Sequence, residues 1–157
     1  MSRAAEELGR LLTERAETVA VAETTTGGLI SAAIVAVPGS SAYFDRGIVA
    51  YSKAAKIESL GVNEAELSEN GAVSAETAGL LAEAVRKVAG ITYGLAETGI
   101  AGPIQGRSPK PIGTAHVAVA GPSGTTSREL LLDGDRLAIQ EGIAREAIGL
   151  LLNTVAA

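Results

Sequence analysis

Short apolar strands that run directly into polar, glycine-containing loops are the feature that most restricts the fold of this chain. TVAVA at 18–22 leads into ETTTGG at 23–28, and ITYGLAET at 91–98 leads into GIAGP at 99–103. In open α/β sheets, ligands bind beyond the carboxyl ends of such strands. The pattern therefore predicts an α/β protein whose functional site lies where these strands end.

Helical periodicity alternates with strand patterns along the rest of the chain. Helices are predicted at 3–16, 29–37, 53–59, 75–88 and 135–153, and further strands at 43–51, 113–120 and 126–133, the last two joined by a turn at 121–124. Residues 61–73 are predicted to form a loop with one helical turn. The alternation, ending in a hairpin, predicts one domain over 1–157, a three-layer α/β/α sandwich with a mixed sheet.

Composition excludes several classes of function. The 157 residues are 46% hydrophobic and include no cysteine, so a core can form without disulfides, and thiol catalysis is excluded. A net charge of −5 argues against a nucleic-acid partner, which requires clustered Lys and Arg. There is no apolar run of 18 residues and no signal-like amino terminus, so no membrane partner and a cytoplasmic location are expected.

Two serines, a tyrosine and a lysine fall within residues 39–56, GSSAYFDRGIVAYSKAAK. Ser40 and Ser41 follow a turn, Tyr51 ends a predicted strand, and Lys56 lies on a short predicted helix. A neutral lysine can replace histidine as the base for a serine nucleophile. These residues therefore give the hypothesis of a Ser-Lys amidohydrolase in which Tyr51 relays or orients a proton.

The hypothesis requires Lys56 to lose its charge. A free lysine has a pKa of about 10.4, so only about one in 2,500 is neutral at pH 7. Moving the pKa to about 7 requires desolvation or nearby cations, for which Arg46 and Lys53 are candidates. The alternative is that Lys56 is a solvated lysine on a helix face, Tyr51 a strand-end aromatic and the two serines part of a turn.

The glycine loops also leave alternatives open. Backbone N–H groups of the 23–28 loop precede a helix and can hold a phosphate or an oxyanion, or Thr24 to Thr26 can simply cap that helix. Glu23 and Glu97 each end a strand, where a carboxylate can meet a cationic substrate or can serve structural hydrogen bonds. Neither loop matches a dinucleotide or P-loop fingerprint.

The remaining candidates are weaker. His116 lies in the middle of a predicted strand and is interpreted as structural, and with one histidine and no cysteine neither a metal site nor a cofactor is predicted. Asp133 and Asp135 are interpreted as flanking a turn. Arg136 begins the last predicted helix, where it can reach an anion or pair with an aspartate.

Six segments, in order along nearly the whole chain, resemble the CinA C-terminal domain family, whose characterised members are nicotinamide-nucleotide amidases. The segments are AETTTGGLISA (22–32), VPGSSAYFDRGIVAYSKAAKIESLGV (37–62), NGAVSAETA (70–78), TGIAGP (98–103), KPIGTAHVA (110–118) and DGDR (133–136). The resemblance implies the CinA C-terminal-like fold and a catalytic trio of Ser41, Tyr51 and Lys56, with Ser41 preferred to Ser40. The substrate-binding residues that it suggests are Glu23, Thr24, Thr26, Gly27, Ser40, Thr98, Gly99, Ala101, Gly102 and Arg136.

The chain departs from the family pattern around this site. Thr24 stands where the family usually has serine, in E-S-C-T-G-G, and Glu97 stands where it commonly has an apolar or small residue. Ile104-Gln105-Gly106-Arg107 replaces D-G-G-T/S, and Gln140 stands where an arginine is frequent. Such changes around a pocket can alter the substrate or leave binding without turnover.

The resemblance and the residues together favour a metal-independent amidohydrolase that converts nicotinamide mononucleotide to nicotinic acid mononucleotide and ammonia. In this hypothesis Ser41 attacks, Lys56 is the base, N–H groups near Ser40 stabilise the oxyanion, and Glu23 or Glu97 faces the pyridinium. A silent nucleotide-binding paralogue and an oligomeric interaction module are the alternatives. A homodimer or larger homo-oligomer is expected, since a pocket made of short loops can need a neighbour to close it.

Overall fold

The computed structural model describes residues 1–157, which form six α-helices and a five-stranded sheet. In chain order the elements are α1 (Ser2–Arg15), β1 (Val19–Glu23), α2 (Leu29–Val35), a 3₁₀ turn (Ser40–Ala42), β2 (Phe44–Val49), α3 (Lys53–Leu60), α4 (Glu64–Asn70), α5 (Ala75–Ala89), β3 (Tyr93–Gly99), β4 (Thr114–Gly121), β5 (Gly124–Leu131) and α6 (Arg136–Ala156). The predicted three-layer α/β fold is confirmed.

The sheet is mixed, with the strand order β2-β1-β3-β4-β5. β2, β1 and β3 are parallel, whereas β4 and β5 are antiparallel to their neighbours and form the predicted hairpin. Because β2, β1 and β3 run in the same direction, the loops that follow them meet at the same end of the sheet, beyond the carboxyl ends of these strands. No helix is both long enough and apolar enough to cross a membrane.

The two faces of the sheet bury different side chains because successive strand residues point to opposite sides. Val19 and Val21 of β1 pack with α1, α2 and α6 in the larger core. Ala20 and Ala22 pack on the other face, against α3, α4 and α5. That second face is built largely from alanine, which lets α5 approach the strands closely.

Residues 61–73 contain more helix than predicted. Asn63 caps α4, its side-chain oxygen accepting a hydrogen bond from the N–H of Glu66 at 3.0 Å, and Leu67 is buried in the smaller core. A capping side chain and a buried leucine stabilise seven helical residues where the sequence pattern predicted a single turn.

Candidate active site

A cavity of about 250 Å³ lies beyond the carboxyl ends of β1, β2 and β3. It is lined by residues that follow β1 and β2, by the 98–102 segment, by Ala72 and Val73 before α5, and by Arg136 at the start of α6. The position is the one that the strand-to-loop pattern predicts for a functional site.

Lys56 lines this cavity and is the group that can act as a base there. It lies on α3, whose first turn is capped by Ser52, and only 6% of Lys56 is exposed. Its Nζ donates a hydrogen bond to the backbone oxygen of Tyr51 at 3.1 Å. Burial lowers the pKa of Lys56, and the negative charge of Glu97 partly opposes that change. Lys56 is therefore a desolvated lysine and not a solvated one.

Thr24 carries a hydroxyl group that donates to a carbonyl adjacent in sequence to the one that Lys56 contacts. Its Oγ1 donates to the backbone oxygen of Ala50 at 3.3 Å, and Lys56 donates to the next carbonyl along the chain, that of Tyr51. Thr24, Tyr51 and Lys56 all line the cavity. The Tyr51 side chain lies at the rim, since the residue is 65% exposed.

Ser40 and Ser41, unlike the other two members of the predicted trio, do not line this cavity within one chain. Both lie in the 3₁₀ turn that precedes β2, whereas Tyr51 and Lys56 follow it. The six residues of β2 extend over about 20 Å, at about 3.3 Å per residue. The Ser40 hydroxyl donates a hydrogen bond to the backbone oxygen of Val35 at 3.3 Å.

Both carboxylate oxygens of Glu23 accept hydrogen bonds inside the protein. The side chain is fully buried and accepts hydrogen bonds from the N–H groups of Gly28, Ile30 and Ser31, at 3.1, 2.9 and 3.0 Å, and from the Ser31 hydroxyl at 2.6 Å. Glu23 thus holds the start of α2, which is the structural alternative left open by the sequence.

Glu97 holds the same loop from the neighbouring strand. Its Oε1 accepts the N–H groups of Thr24 and Thr26 at 2.6 and 3.0 Å, while its Oε2 is buried without a partner. Burial raises the pKa of Glu97, hydrogen bonds from Thr26 and Thr24 lower it, and the nearby Glu23 raises it further. Thr26 Oγ1 lies 2.7 Å from Glu23 and 2.9 Å from Glu97, so Thr26 ties the two carboxyl groups together beneath the cavity.

The 98–102 segment and α6 complete the cavity. Thr98 donates to the backbone oxygen of Ala72 at 2.6 Å, and Thr25 donates to that of Gly99 at 3.0 Å. The exposed Arg136 donates to the backbone oxygen of Gly102 at 2.7 Å and pairs with no aspartate. Its other N–H groups are available to an anion.

Backbone N–H groups in the cavity wall are also free. Those of Thr25, Ala101 and Gly102 donate to no acceptor within the protein, although all three residues line the cavity. Gln140 of α6 donates to the backbone oxygen of Thr25 at 2.9 Å and so fixes the loop that carries one of these groups. Such N–H groups are suited to an oxyanion or a phosphate oxygen.

Most of the predicted site residues line the cavity, and the others do not. Those that line it are Thr24, Tyr51, Lys56, Thr98, Gly99, Ala101, Gly102 and Arg136. Glu23, Thr26 and Gly27 lie outside its lining, and so do Ser40 and Ser41. The sequence analysis did not single out Ala72 and Val73, which also line the cavity. Both fall within the 70–78 segment, and that match was the available signal.

His116 is buried on β4, directly opposite Thr98 of β3, and both of its ring nitrogens lack a partner. Burial lowers the pKa of His116. The negative charges of Glu129 and Glu76 oppose this change, and the positive charge of Lys110 adds to it. The residue does not line the cavity.

Comparison with known sequences identifies a single family. A family model described as the CinA C-terminal domain matches residues 1–155. A CinA-like protein of Anaeromyxobacter sp. (strain Fw109-5) is 50% identical over 140 residues, which are 89% of this chain and 34% of that protein. A CinA-like protein of Frankia casuarinae is 47% identical over 146 residues, 93% of this chain and 34% of the relative. The chain thus spans about a third of the length of these curated relatives.

Solved structures show the same fold over the whole chain. The CinA superfamily protein KP700603 from Klebsiella pneumoniae superposes with a TM-score of 0.94 at 28% identity, covering 99% of this chain and 97% of that one. The competence/damage inducible protein CihA from Agrobacterium tumefaciens has a TM-score of 0.85 at 37% identity, covering 96% of both chains.

Proposed function

The chain belongs to the CinA C-terminal domain family, and we propose that it is an amidohydrolase that converts nicotinamide mononucleotide to nicotinic acid mononucleotide and ammonia. The observation that carries the proposal is the buried Lys56 in a cavity that also holds the Thr24 hydroxyl and the Tyr51 side chain. Burial lowers the pKa of Lys56, which favours the neutral amine that a general base requires. The family resemblance supplies the substrate.

In this proposal the nucleophile is Thr24 instead of Ser41. Thr24 Oγ1 bonds to the carboxamide carbon while its proton passes to Lys56 Nζ. The carbon–nitrogen bond then breaks, and Lys56 returns the proton to the leaving nitrogen, which departs as ammonia. Lys56 next deprotonates a water that hydrolyses the ester, which releases the carboxylate and restores Thr24.

Oxyanion and phosphate binding are assigned to other groups of the same cavity. The free N–H of Thr25, next to the nucleophile, is the closest candidate in sequence for stabilising the oxyanion. The N–H groups of Ala101 and Gly102, with the available N–H groups of Arg136, are suited to the phosphate. In this proposal Tyr51, at the rim, covers the pyridine ring or relays a proton.

Ammonia release from nicotinamide mononucleotide tests the proposal. We expect Lys56→Ala to lower kcat by about 10²- to 10⁴-fold, the usual effect of losing a general base, and Thr24→Ala to be at least as damaging. Thr24→Ser retains a hydroxyl and should keep activity within about tenfold of wild type, since a single methyl contact is worth about 1 kcal/mol. Ser41→Ala is the matched control and should be unaffected. Equal rates in all five proteins would remove Thr24 and Lys56 from the mechanism.

One observation favours a nucleotide-binding protein without turnover as the second candidate. Glu97 Oε1 accepts the N–H groups of Thr24 and Thr26, so the loop of the nucleophile is held by a carboxylate where the family commonly has an apolar or small residue. Titration calorimetry with the same nucleotide separates the two candidates. Saturable binding without ammonia release, in both the wild type and Glu97→Ala, would favour the silent protein.

A further inference from the structure

Lys56 has a property that its proposed role as a base does not use, because its amine can also act as a nucleophile. Only 6% of the residue is exposed, and Nζ makes no ion pair with any carboxylate. The only hydrogen bond of Nζ within the protein is its donation to the backbone oxygen of Tyr51 at 3.1 Å. A neutral amine that donates one hydrogen in this way keeps its lone pair, and no donor of the protein occupies that lone pair.

Lys56 differs in this respect from the exposed lysines of the chain. An exposed lysine is neutral in only about one molecule in 2,500 at pH 7, and its protonated form has no lone pair. Burial lowers the pKa of Lys56, and the buried Glu97 is the one charged group that opposes this change. Desolvated lysines of this kind are the ones that form imines with carbonyl compounds.

The cavity beside Lys56 also offers groups that can bind an anion. The backbone N–H groups of Ala101 and Gly102 donate to no acceptor within the protein, and Arg136 has N–H groups beyond the one that donates to Gly102. All three residues line the same cavity of about 250 Å³ as Lys56. One small molecule can therefore place an anionic group at these N–H groups and a carbonyl carbon at the amine.

The chemistry of the amine selects the kind of carbonyl. The nitrogen of a carboxamide donates electrons to its carbonyl carbon, so an amine does not condense with it unaided. An aldehyde carbon has no such donor and condenses with a neutral amine directly. An aldehyde that also carries a phosphate would place its carbonyl carbon where the proposed function places the carboxamide carbon.

We propose that Lys56 is also an imine-forming residue, and that the cavity captures phosphorylated aldehydes as reversible covalent ligands. The lone pair of Nζ bonds to the aldehyde carbon while one amine hydrogen passes to the aldehyde oxygen, which gives a carbinolamine. The new hydroxyl then leaves with the second amine hydrogen as water, and the C=N bond forms. Nothing is oxidised or reduced in these steps. The placement of the phosphate rests on the proposed function.

Trapping the imine with borohydride tests the proposal on the full chain. Pyridoxal 5′-phosphate is the probe, since it joins an aldehyde and a phosphate through one pyridine ring. At pH 7, and with the probe limiting, we expect Lys56 to be modified at least about tenfold faster than the exposed Lys53 and Lys87, because those amines hold their protons. Peptide mass spectrometry measures the reduced adduct at each lysine.

Two variants separate the amine from the anion-binding groups. Lys56→Met should lose the fast adduct and leave the slow adducts at Lys53 and Lys87 unchanged. Arg136→Gln should slow the reaction at Lys56 by about tenfold, the value of one charge-assisted hydrogen bond. With pyridine-4-carboxaldehyde, which has no phosphate, Arg136→Gln should react at Lys56 as fast as wild type.

Equal rates at Lys56 and at the exposed lysines of the wild type would overturn the proposal, and so would a rate at Lys56 that is the same with and without a phosphate on the probe. Ammonia release from nicotinamide mononucleotide, measured before labelling, is a separate outcome. Its absence, with selective modification of Lys56 intact, would reject the amidase and leave the imine site standing. Ammonia release without selective modification would reject the imine site alone.

Discussion

At the scale of single residues, Lys56 is the only lysine or arginine among the buried residues. Burial disfavours its charged form, so its pKa in the folded protein lies below the ordinary value of 10.5. The unfolded chain then holds the proton over a pH range in which the folded chain has lost it. Stability therefore rises with pH between the two pKa values, and below both of them the protein carries the cost of a buried charge.

Lys56→Met should consequently be inactive but more stable than wild type at pH 7. The methionine keeps the apolar stem and removes the buried charge, so we expect a higher Tm, by about 2–4 °C for each kcal/mol of burial cost removed. The difference should shrink as the pH approaches 10.5, where the wild-type lysine is neutral in the folded state. Thermal unfolding at both pH values measures it, with the exposed Lys87→Met as the control. A lower Tm for Lys56→Met at both pH values would contradict a charge penalty at this site.

At the scale of elements, the close approach of α5 to the sheet depends on the small side chains of the inner face. Gly94 of β3 lies directly under α5: a Cβ there would lie 2.0 Å from the backbone oxygen of Ala82 and 2.8 Å from the Cβ of Arg86. Neither of these atoms can move without moving the helix. Because β3 also carries Glu97 and Thr98, a shift of α5 would be transmitted to the cavity.

Gly94→Ala should therefore destabilise the protein by at least about 1–3 kcal/mol, the usual cost of overpacking a core. Gly79→Ala is the matched control, because Gly79 lies on α5 itself and its added Cβ would meet only a methyl group of Thr125 at 3.7 Å. That substitution should stabilise the helix by about 0.5–1 kcal/mol. Urea unfolding compares the two variants. Equal free energies of unfolding would mean that the packing of α5 on β3 does not depend on the absence of a side chain at Gly94.

The elements also explain which parts of the site could be predicted. Periodicity predicted β1, β3 and their glycine loops. Because the two strands are parallel, Thr24 and Thr98 then lie at the same end of the sheet. The family resemblance and the short spacing along the chain placed Ser41 with Lys56, although the predicted strand 43–51 already lay between them. A strand separates the residues before it from those after it by its whole length, so nearness in sequence was misleading. The supporting contacts of Glu97 and Gln140 depend on which strands and helices are neighbours, which periodicity does not specify.

At the scale of the whole molecule, Thr24, Lys56, Arg136 and the 98–102 segment all come from one chain. The proposed reaction therefore needs no residue from a second copy. The homodimer expected from the sequence would serve to close the cavity rather than to supply the nucleophile. β2 remains an edge strand, paired only with β1, and Ser41 at its start is exposed. If two copies paired antiparallel along β2, the start of one strand would lie beside the end of the other, and Ser41 of one copy would lie on the side of Lys56 of the other.

Mixing two inactive proteins distinguishes these arrangements. If Thr24 is the nucleophile, Thr24→Ala and Lys56→Ala each remove a group from the same cavity, and a dimer of the two variants has no complete cavity. We therefore expect ammonia release from their mixture to equal the mean of the separate proteins, after unfolding and refolding together to exchange chains. If Ser41 acts across a dimer, Ser41→Ala is inactive alone, and its mixture with Lys56→Ala should recover up to about a quarter of the wild-type rate, because half the dimers are mixed and each has one intact site. Recovery in that second mixture would overturn the assignment of Thr24.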